Sequence, residues 1–259
     1  THVPEWGATC TGARDFLIAY NVNVLGTKEQ AHRIALDIRE QGRGPDEPGR
    51  LKAVRAIGWW VDEYDLAQVS IYLEDYRTTP PHVAFEACAE LAAGLNLAVA
   101  GSELVGLIPL GAMLDAGRHY LRLQRRSTGV SDAELIKIAV RTMGLDELGP
   151  FDPNEKIIEY AIRDKAKKRL VDLTLEGFVE ETASESPAPG GGSVSAAVGA
   201  LGAALGTMVA NLSSHKRGWD ERWETFSDVA EEGKACHAKL LGLVDADTDA
   251  FNAIMAAWK

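Results

Sequence analysis

The stretch Ser186-Pro-Ala-Pro-Gly-Gly-Gly-Ser-Val-Ser-Ala-Ala-Val-Gly-Ala-Leu-Gly-Ala-Ala-Leu-Gly-Thr-Met-Val-Ala-Asn211 constrains this chain most. Two prolines and three consecutive glycines forbid a helix at its start, and the alanine-rich run beyond them favours one. Ser193 is the expected N-cap, its hydroxyl meeting an unpaired N–H of the first turn. A glycine loop entering a helix presents backbone N–H groups and the positive end of the helix dipole, which suits an anion or a polarised carbonyl. Pro189, Gly190, Gly191, Gly192 and Ser193 are therefore candidate ligand-binding residues. Gly199, Gly202 and Gly206 recur on one side of this helix. Each costs about 1 kcal/mol against alanine, so close packing against another helix is expected there. The helix face reads as small rather than greasy and Lys216-Arg217 closes it, so a membrane span is not expected.

Bulk properties narrow the function classes. The chain has 259 residues and a net charge of -11, which argues against a nucleic-acid binder. Cys10, Cys88 and Cys236 lack metal spacing and an even count, which points to a reducing, cytoplasmic setting. The six histidines form no His-x-x-x-His pair, and no metal is expected. Thr1 begins without methionine in a loop and Lys259 ends inside a helical run, so the sequence reads as a segment of a longer polypeptide.

Hydrophobic periodicity then orders the elements. Residues 1–11 read as an incoming linker. Phe16 to Val24 is a strand, and Thr27 caps a helix that ends near Gly42. Leu51 to Val61 and Leu66 to Tyr76 form a hairpin across Asp62-Glu-Tyr-Asp65, Pro80 opens a helix to Leu95, and Leu97 to Leu107 is a fourth strand. This β-α-β-β-α-β order predicts an α+β, ferredoxin-like domain over 12–162, with Leu17, Val22, Val54, Ile57, Val69, Ile71, Val99 and Val105 in its core. Helices are predicted over Leu110–Leu123, Ser131–Met143 and Asn154–Ile162. A charged linker, 163–169, leads into an all-helical segment, 170–259, with helices over Leu170–Ala183, Ser193–Ser213 and from Trp219 onward.

Two features carry candidate chemistry. Arg39, Arg43 and Arg50 cluster with Lys52 and Arg55 around the first loop, and Arg122, Arg125 and Arg126 follow a later helix. They read either as solvated ends or as sites for a polyanion. In Leu243-Val-Asp-Ala-Asp-Thr-Asp-Ala-Phe251, Asp245 and Asp249 share a face with Asn252, while Asp247 falls with Leu240, Val244, Phe251 and Met255 on the expected buried stripe. The group is an acid/base candidate.

Phe16-Leu-Ile-Ala-Tyr-Asn, Arg39-Glu-Gln-Gly-Arg-Gly44, Pro48-Gly-Arg-Leu-Lys52, Val105-Gly-Leu-Ile-Pro109, Pro150-Phe-Asp-Pro153, Ala188-Pro-Gly-Gly-Gly-Ser-Val194 and Leu243-Val-Asp-Ala-Asp247 together resemble the formiminotransferase-cyclodeaminase family, nearly end to end. The resemblance implies a formiminotransferase C-terminal subdomain followed by the start of a cyclodeaminase domain. It implies transfer of a formimino group from N-formiminoglutamate to tetrahydrofolate, then cyclodeamination to 5,10-methenyltetrahydrofolate with loss of ammonia. Tetrahydrofolate polyglutamate is then the co-substrate, and its carboxylates give the arginines a purpose. Val3, Pro4, Gly12 and Arg14 are carried over as folate- or substrate-binding positions, and Asp245 as the cyclodeaminase acid/base, with Asp247 as the alternative. The family's catalytic histidine belongs to a subdomain that precedes Thr1, so the segment alone is expected to be inactive. A homo-oligomer is implied, without nucleic acid or membrane. A formiminotransferase fused to a methenyltetrahydrofolate cyclohydrolase-like domain, or a non-catalytic folate-binding or assembly module, are the other readings.

Overall fold

Four alternating strands and two amphipathic helices build the first part of the chain in the computed structural model, which describes residues 4, 5, 7, 11–163 and 169–258. The strands are β1 (Ile18–Leu25), β2 (Val54–Val61), β3 (Leu66–Leu73) and β4 (Ala98–Val105); the helices are α1 (Lys28–Ile38) and α2 (Pro81–Gly94). Their sheet order is β2-β3-β1-β4, every neighbouring pair antiparallel, as the ferredoxin-like reading requires. Thr27 and Gln30 form a reciprocal capping box at the start of α1. Pro81 starts α2 in the first helical turn, where its missing N–H costs nothing.

Ile18, Tyr20, Val22 and Val24 alternate along β1 and are buried, as are Ile34, Ala35 and Ile38 of α1. In β2 the buried residues are Val54, Ala56 and Gly58. A Cβ on Gly58 would lie 2.0 Å from the His32 backbone nitrogen, so only glycine admits α1 at this distance. This corrects part of the expected core. Ile57 is 56% exposed and Val105 50% exposed, because both point to the other face of the sheet, while Leu17 and Val99 are half-buried.

The later helices are α3 (Leu110–Leu123), α4 (Asp132–Met143), α5 (Pro153–Lys156), α6 (Ile158–Ala161), α7 (Leu175–Ala183), α8 (Gly191–Ser214) and α9 (Trp223–Ala257). Three expectations are corrected here. Residues 154–162 form two single turns, because buried Ile157 is extended and forms a parallel bridge with Ile108. Residues 170–183 divide into a 3₁₀ turn, Leu170–Asp172, and α7, which Thr174 caps through the Gly177 N–H at 3.0 Å. A 3₁₀ turn, Asp220–Arg222, precedes α9.

The chain divides into two compact units, residues 1–112 with 143–158, and residues 113–142 with 159–259. In the second unit, α8 and α9 pack along each other, and the α3–α4 loop is bound to both. Asn211 Nδ2 donates to the Gly129 carbonyl at 3.0 Å, and the Thr128 N–H donates to Ser227 Oγ at 3.0 Å. Among the described residues, α8 is the one helix long and apolar enough to cross a membrane, and 28% of its apolar stretch is buried. Its outward residues Val198, Leu201, Leu205, Met208, Val209 and Leu212 are all exposed, so that face is greasy rather than small. The helical glycines are corrected too. Of Gly199, Gly202 and Gly206, the last two would set an added Cβ in open space, and Gly199 alone of the three approaches another helix, 3.4 Å from Leu240.

Candidate functional site

The glycine loop ends earlier than the sequence suggests, and that changes what Ser193 does. Gly190 is the N-cap of α8, extended and without a side chain to offer, so Ser193 already lies inside the first turn. There it is wholly buried. Its hydroxyl donates to the Val244 carbonyl at 2.8 Å and lies 3.1 Å from Asp247 Oδ2, which also accepts the Ser193 backbone N–H at 2.8 Å. The capping function expected of the serine side chain is thus supplied by a carboxylate from α9, at the end of a helix whose dipole favours negative charge. An added Cβ on Gly192 would lie 2.2 Å from Asp247 Oδ1, so a side chain there would displace the carboxylate.

A cavity of about 490 Å³ opens beside this contact, lined by Gly192, Ser195, Ala196, Leu240, Leu243 and Asp247. Its polar residues gather near the start of α8 and its leucines come from α9. The expected burial of Asp247 is corrected: the residue is exposed, and Val244 holds the buried position. Asp245, one helical turn fraction away, points elsewhere. Its Oδ1 accepts the Leu170 N–H at 2.6 Å, holding the 3₁₀ turn to α9. The structure therefore brings Asp247, and not Asp245, to the glycine loop. Pro189 is buried, Gly191 and Gly192 are exposed.

The first-loop arginines are each engaged. Arg39 Nε donates to the Gly42 carbonyl at 2.8 Å, Arg43 pairs with Asp37, and Arg50 pairs with Glu90 at 2.6 Å. The hydrogen bond to Arg50 holds the Glu90 carboxyl below its ordinary range. A second cavity of about 490 Å³ is lined by Arg39, Arg55, Glu40 and Glu74, so both charge signs face it. Gly12 and Arg14 are exposed in irregular chain, Pro4 is exposed in a turn, and Val3 lies outside the described residues. Among the described residues no group of three His, Cys, Asp or Glu side chains is placed to hold a metal ion. Burial pushes the Cys88 thiol well above its ordinary range.

Sequence reasoning missed a polar network on the sheet face away from the helices. Asn21 Nδ2 donates to Gln68 Oε1 at 3.2 Å and to Glu103 Oε2 at 3.1 Å; Gln68 Nε2 donates to Asn23 Oδ1 at 2.8 Å and to Glu103 Oε2 at 3.0 Å. Asn23 Nδ2 donates to Glu147 Oε2 at 2.7 Å, and the Trp59 indole N–H donates to Gln68 Oε1 at 3.2 Å. The signal was present as Asn21 and Asn23 alternating with Tyr20, Val22 and Val24, a period of two that sets both carboxamides on one face.

Comparison with known proteins adds to this geometry. A family model described as "Formiminotransferase domain" matches residues 19–163, and one described as "Formiminotransferase-cyclodeaminase" matches 174–259. The chain belongs to the formiminotransferase-cyclodeaminase family. It is 51% identical to formimidoyltransferase-cyclodeaminase of Mus musculus over 258 residues, covering 99% of this chain and 48% of that protein. It is 37% identical to glutamate formimidoyltransferase of Thermoplasma acidophilum over 122 residues, 47% of this chain and 38% of the relative. It is 39% identical to methenyltetrahydrofolate cyclohydrolase of Methylorubrum extorquens over 85 residues, 33% of this chain and 41% of the relative. The chain spans about half the length of its full-coverage relatives. The Asp247–Ser193 contact and the glycine loop fall within the second matched region, the carboxamide network within the first.

Proposed function

We propose that this chain serves a bifunctional folate enzyme that transfers a formimino group from N-formiminoglutamate to tetrahydrofolate and then cyclodeaminates the adduct. The observation that carries the reading is the co-occurrence, in one chain, of both matched regions at the identities given above. In the second reaction, the folate N10 attacks the formimino carbon, the bond from that carbon to the terminal nitrogen breaks, and ammonia leaves. The departing nitrogen needs a proton, and a positioned carboxyl group supplies about 10²–10⁴-fold in rate. Asp245 is the proposed donor. Asp247 is the alternative, favoured by its place beside the cavity and the start of α8. The loop Gly190 to Ser193 is proposed to meet the folate with backbone groups, and Arg39, Arg43 and Arg50 to meet its glutamate carboxylates. The exposed apolar face of α8 supports assembly as a homo-oligomer rather than a membrane span, in a cytoplasmic setting.

A second reading treats the helical region as a methenyltetrahydrofolate cyclohydrolase-like domain, and the likeness over 85 residues favours it. Separate assays on an enzyme carrying this chain at full family length decide between them. Glutamate release reports the first reaction and ammonia release the second. Asp245→Asn is expected to abolish most ammonia release and to spare glutamate release. Near-unchanged ammonia release moves the role to Asp247, and no ammonia from the unaltered enzyme supports the cyclohydrolase reading.

A further inference from the structure

The carboxamide network of the outer sheet face ends on two carboxylates, Glu103 and Glu147. Asn23, Gln68 and Asn21 are 0%, 1% and 5% exposed, a degree of burial that amides tolerate only when their hydrogen bonds are met. Here they meet one another and Glu103. The neutral amides supply hydrogen bonds to Glu103 but no opposite charge. Among the described residues neither Glu103 nor Glu147 forms an ion pair. The charge is felt nearby: Glu103 holds the Tyr64 phenol above its ordinary range.

Beside Glu103 lies a cavity of about 160 Å³, also lined by Tyr64, Phe151 and Lys156. Whole-ligand pockets run to roughly 300–1,000 Å³, so this one suits a functional group and not an entire folate. Glu103 Oε2 already accepts two carboxamide N–H groups, whereas among the described residues Oε1 accepts only the Tyr64 hydroxyl, at 3.5 Å. Oε1 therefore retains capacity for a charge-assisted bond. Two aromatic side chains on the walls favour a flat, delocalised cation over a compact ammonium. Lys156 adds one positive group to the same cavity, the complement of a carboxylate on the same ligand.

We propose that Glu103, aligned by Asn21 and Gln68 and flanked by Tyr64 and Lys156, is a binding residue for an amidinium group carried by a carboxylate-bearing molecule. The site itself stands on the network and the cavity; only the identification of the amidine with a formimino substrate rests on the function proposed above. The Trp59 indole N–H, hydrogen-bonded to Gln68, is a built-in reporter.

The test uses this 259-residue chain, labelled with ¹⁵N at tryptophan, titrated in turn with formamidinium, neutral formamide and N-formimino-L-glutamate. Formamidinium is expected to shift the Trp59 indole resonance in a saturable way and formamide to leave it in place. Glu103→Gln keeps the acceptor toward Asn21 and Gln68 but removes the charge, and should weaken formamidinium binding by about tenfold or more. Lys156→Met should weaken N-formimino-L-glutamate and leave formamidinium unchanged. Should Glu103→Gln fail to fold, competition by guanidinium on the unaltered chain replaces it, and displacement of formamidinium is expected. Equal shifts with formamide, no shift with formamidinium, or unchanged binding in folded Glu103→Gln each overturn the proposal. Glu103-dependent binding of formamidinium without binding of N-formimino-L-glutamate upholds the amidinium site and counts against the formimino-transfer reading.

Discussion

Asp247 Oδ2 lies 2.8 Å from the Ser193 backbone nitrogen and 3.1 Å from its hydroxyl, tying the far part of α9 to the first turn of α8. Gly192 lies under the other carboxylate oxygen, so the loop and the aspartate are one arrangement. Gly192→Ala should displace Asp247 and forfeit its bonds to Ser193, at about 1–3 kcal/mol. Asp247→Ala should cost a similar amount by the same route. The double variant should then cost clearly less than the sum of the two. Chemical denaturation of all four proteins checks this, and additive costs would show that the contact does not hold the loop.

Asp245 accepts the Leu170 N–H at 2.6 Å, and that contact separates two roles that one residue can carry. Asn keeps an acceptor oxygen at this position, whereas Ala removes it. Asp245→Ala should therefore destabilise the chain by roughly 0.5–2 kcal/mol, as loss of a helix-end acceptor does. Asp245→Asn should stay close to the unaltered stability. Melting temperatures of the two variants provide the measurement; equal losses for Asn and Ala would mean that the charge, not the acceptor, holds the 3₁₀ turn.

How far the sequence could be read depended on which interaction decided each feature. The hairpin across 62–65, the capping of α1 by Thr27 and the limits of α3 follow from local signals, and the structure has all three. The phase of β2 does not follow from local signals. Hydrophobicity places Ile57 inward, yet α1 approaches so closely that the inward positions must be small, and Ala56 and Gly58 take them. Ser193 reads as an N-cap by residue type, but the partner that overrides this is Asp247, 54 residues further on. The carboxamide network likewise joins β1, β3, β4 and the 144–151 segment, so no single window displays it.

The paired state of the first-loop arginines governs how they can serve a polyanion. In the role proposed for these arginines, folate carboxylates would compete with Glu90 for Arg50 and with Asp37 for Arg43. Glu90→Gln should therefore raise the affinity of a full-length enzyme for folates with several glutamates more than for monoglutamates, and salt should reduce the gain. The pH direction follows from the lowered Glu90 value. Its contribution to stability is complete above the ordinary carboxylate range and is lost as pH falls through the lowered value. Fluorescence titration with mono- and polyglutamates checks the first point, and an unchanged preference in Glu90→Gln would remove Arg50 from the tail site.

The outer face of α8 makes the clearest demand on assembly. Leu201, Leu205 and Val209 lie along it at 63%, 61% and 59% exposed, at spacings of four residues, so they form one continuous stripe. Contiguous apolar surface of this kind marks an interface far more often than a finished surface. A second copy of the chain offers the same stripe, and two such stripes can cover each other about a twofold axis. Sedimentation of the 259-residue chain should therefore show concentration-dependent self-association. Leu205→Glu sets a charge in the centre of the stripe, where burial without a partner is strongly unfavourable, and should return the chain to a monomer. Because the position is exposed, the helix itself should persist, and circular dichroism checks that it does. A Leu205→Glu protein that still self-associates at the same concentrations would place the contact on another surface.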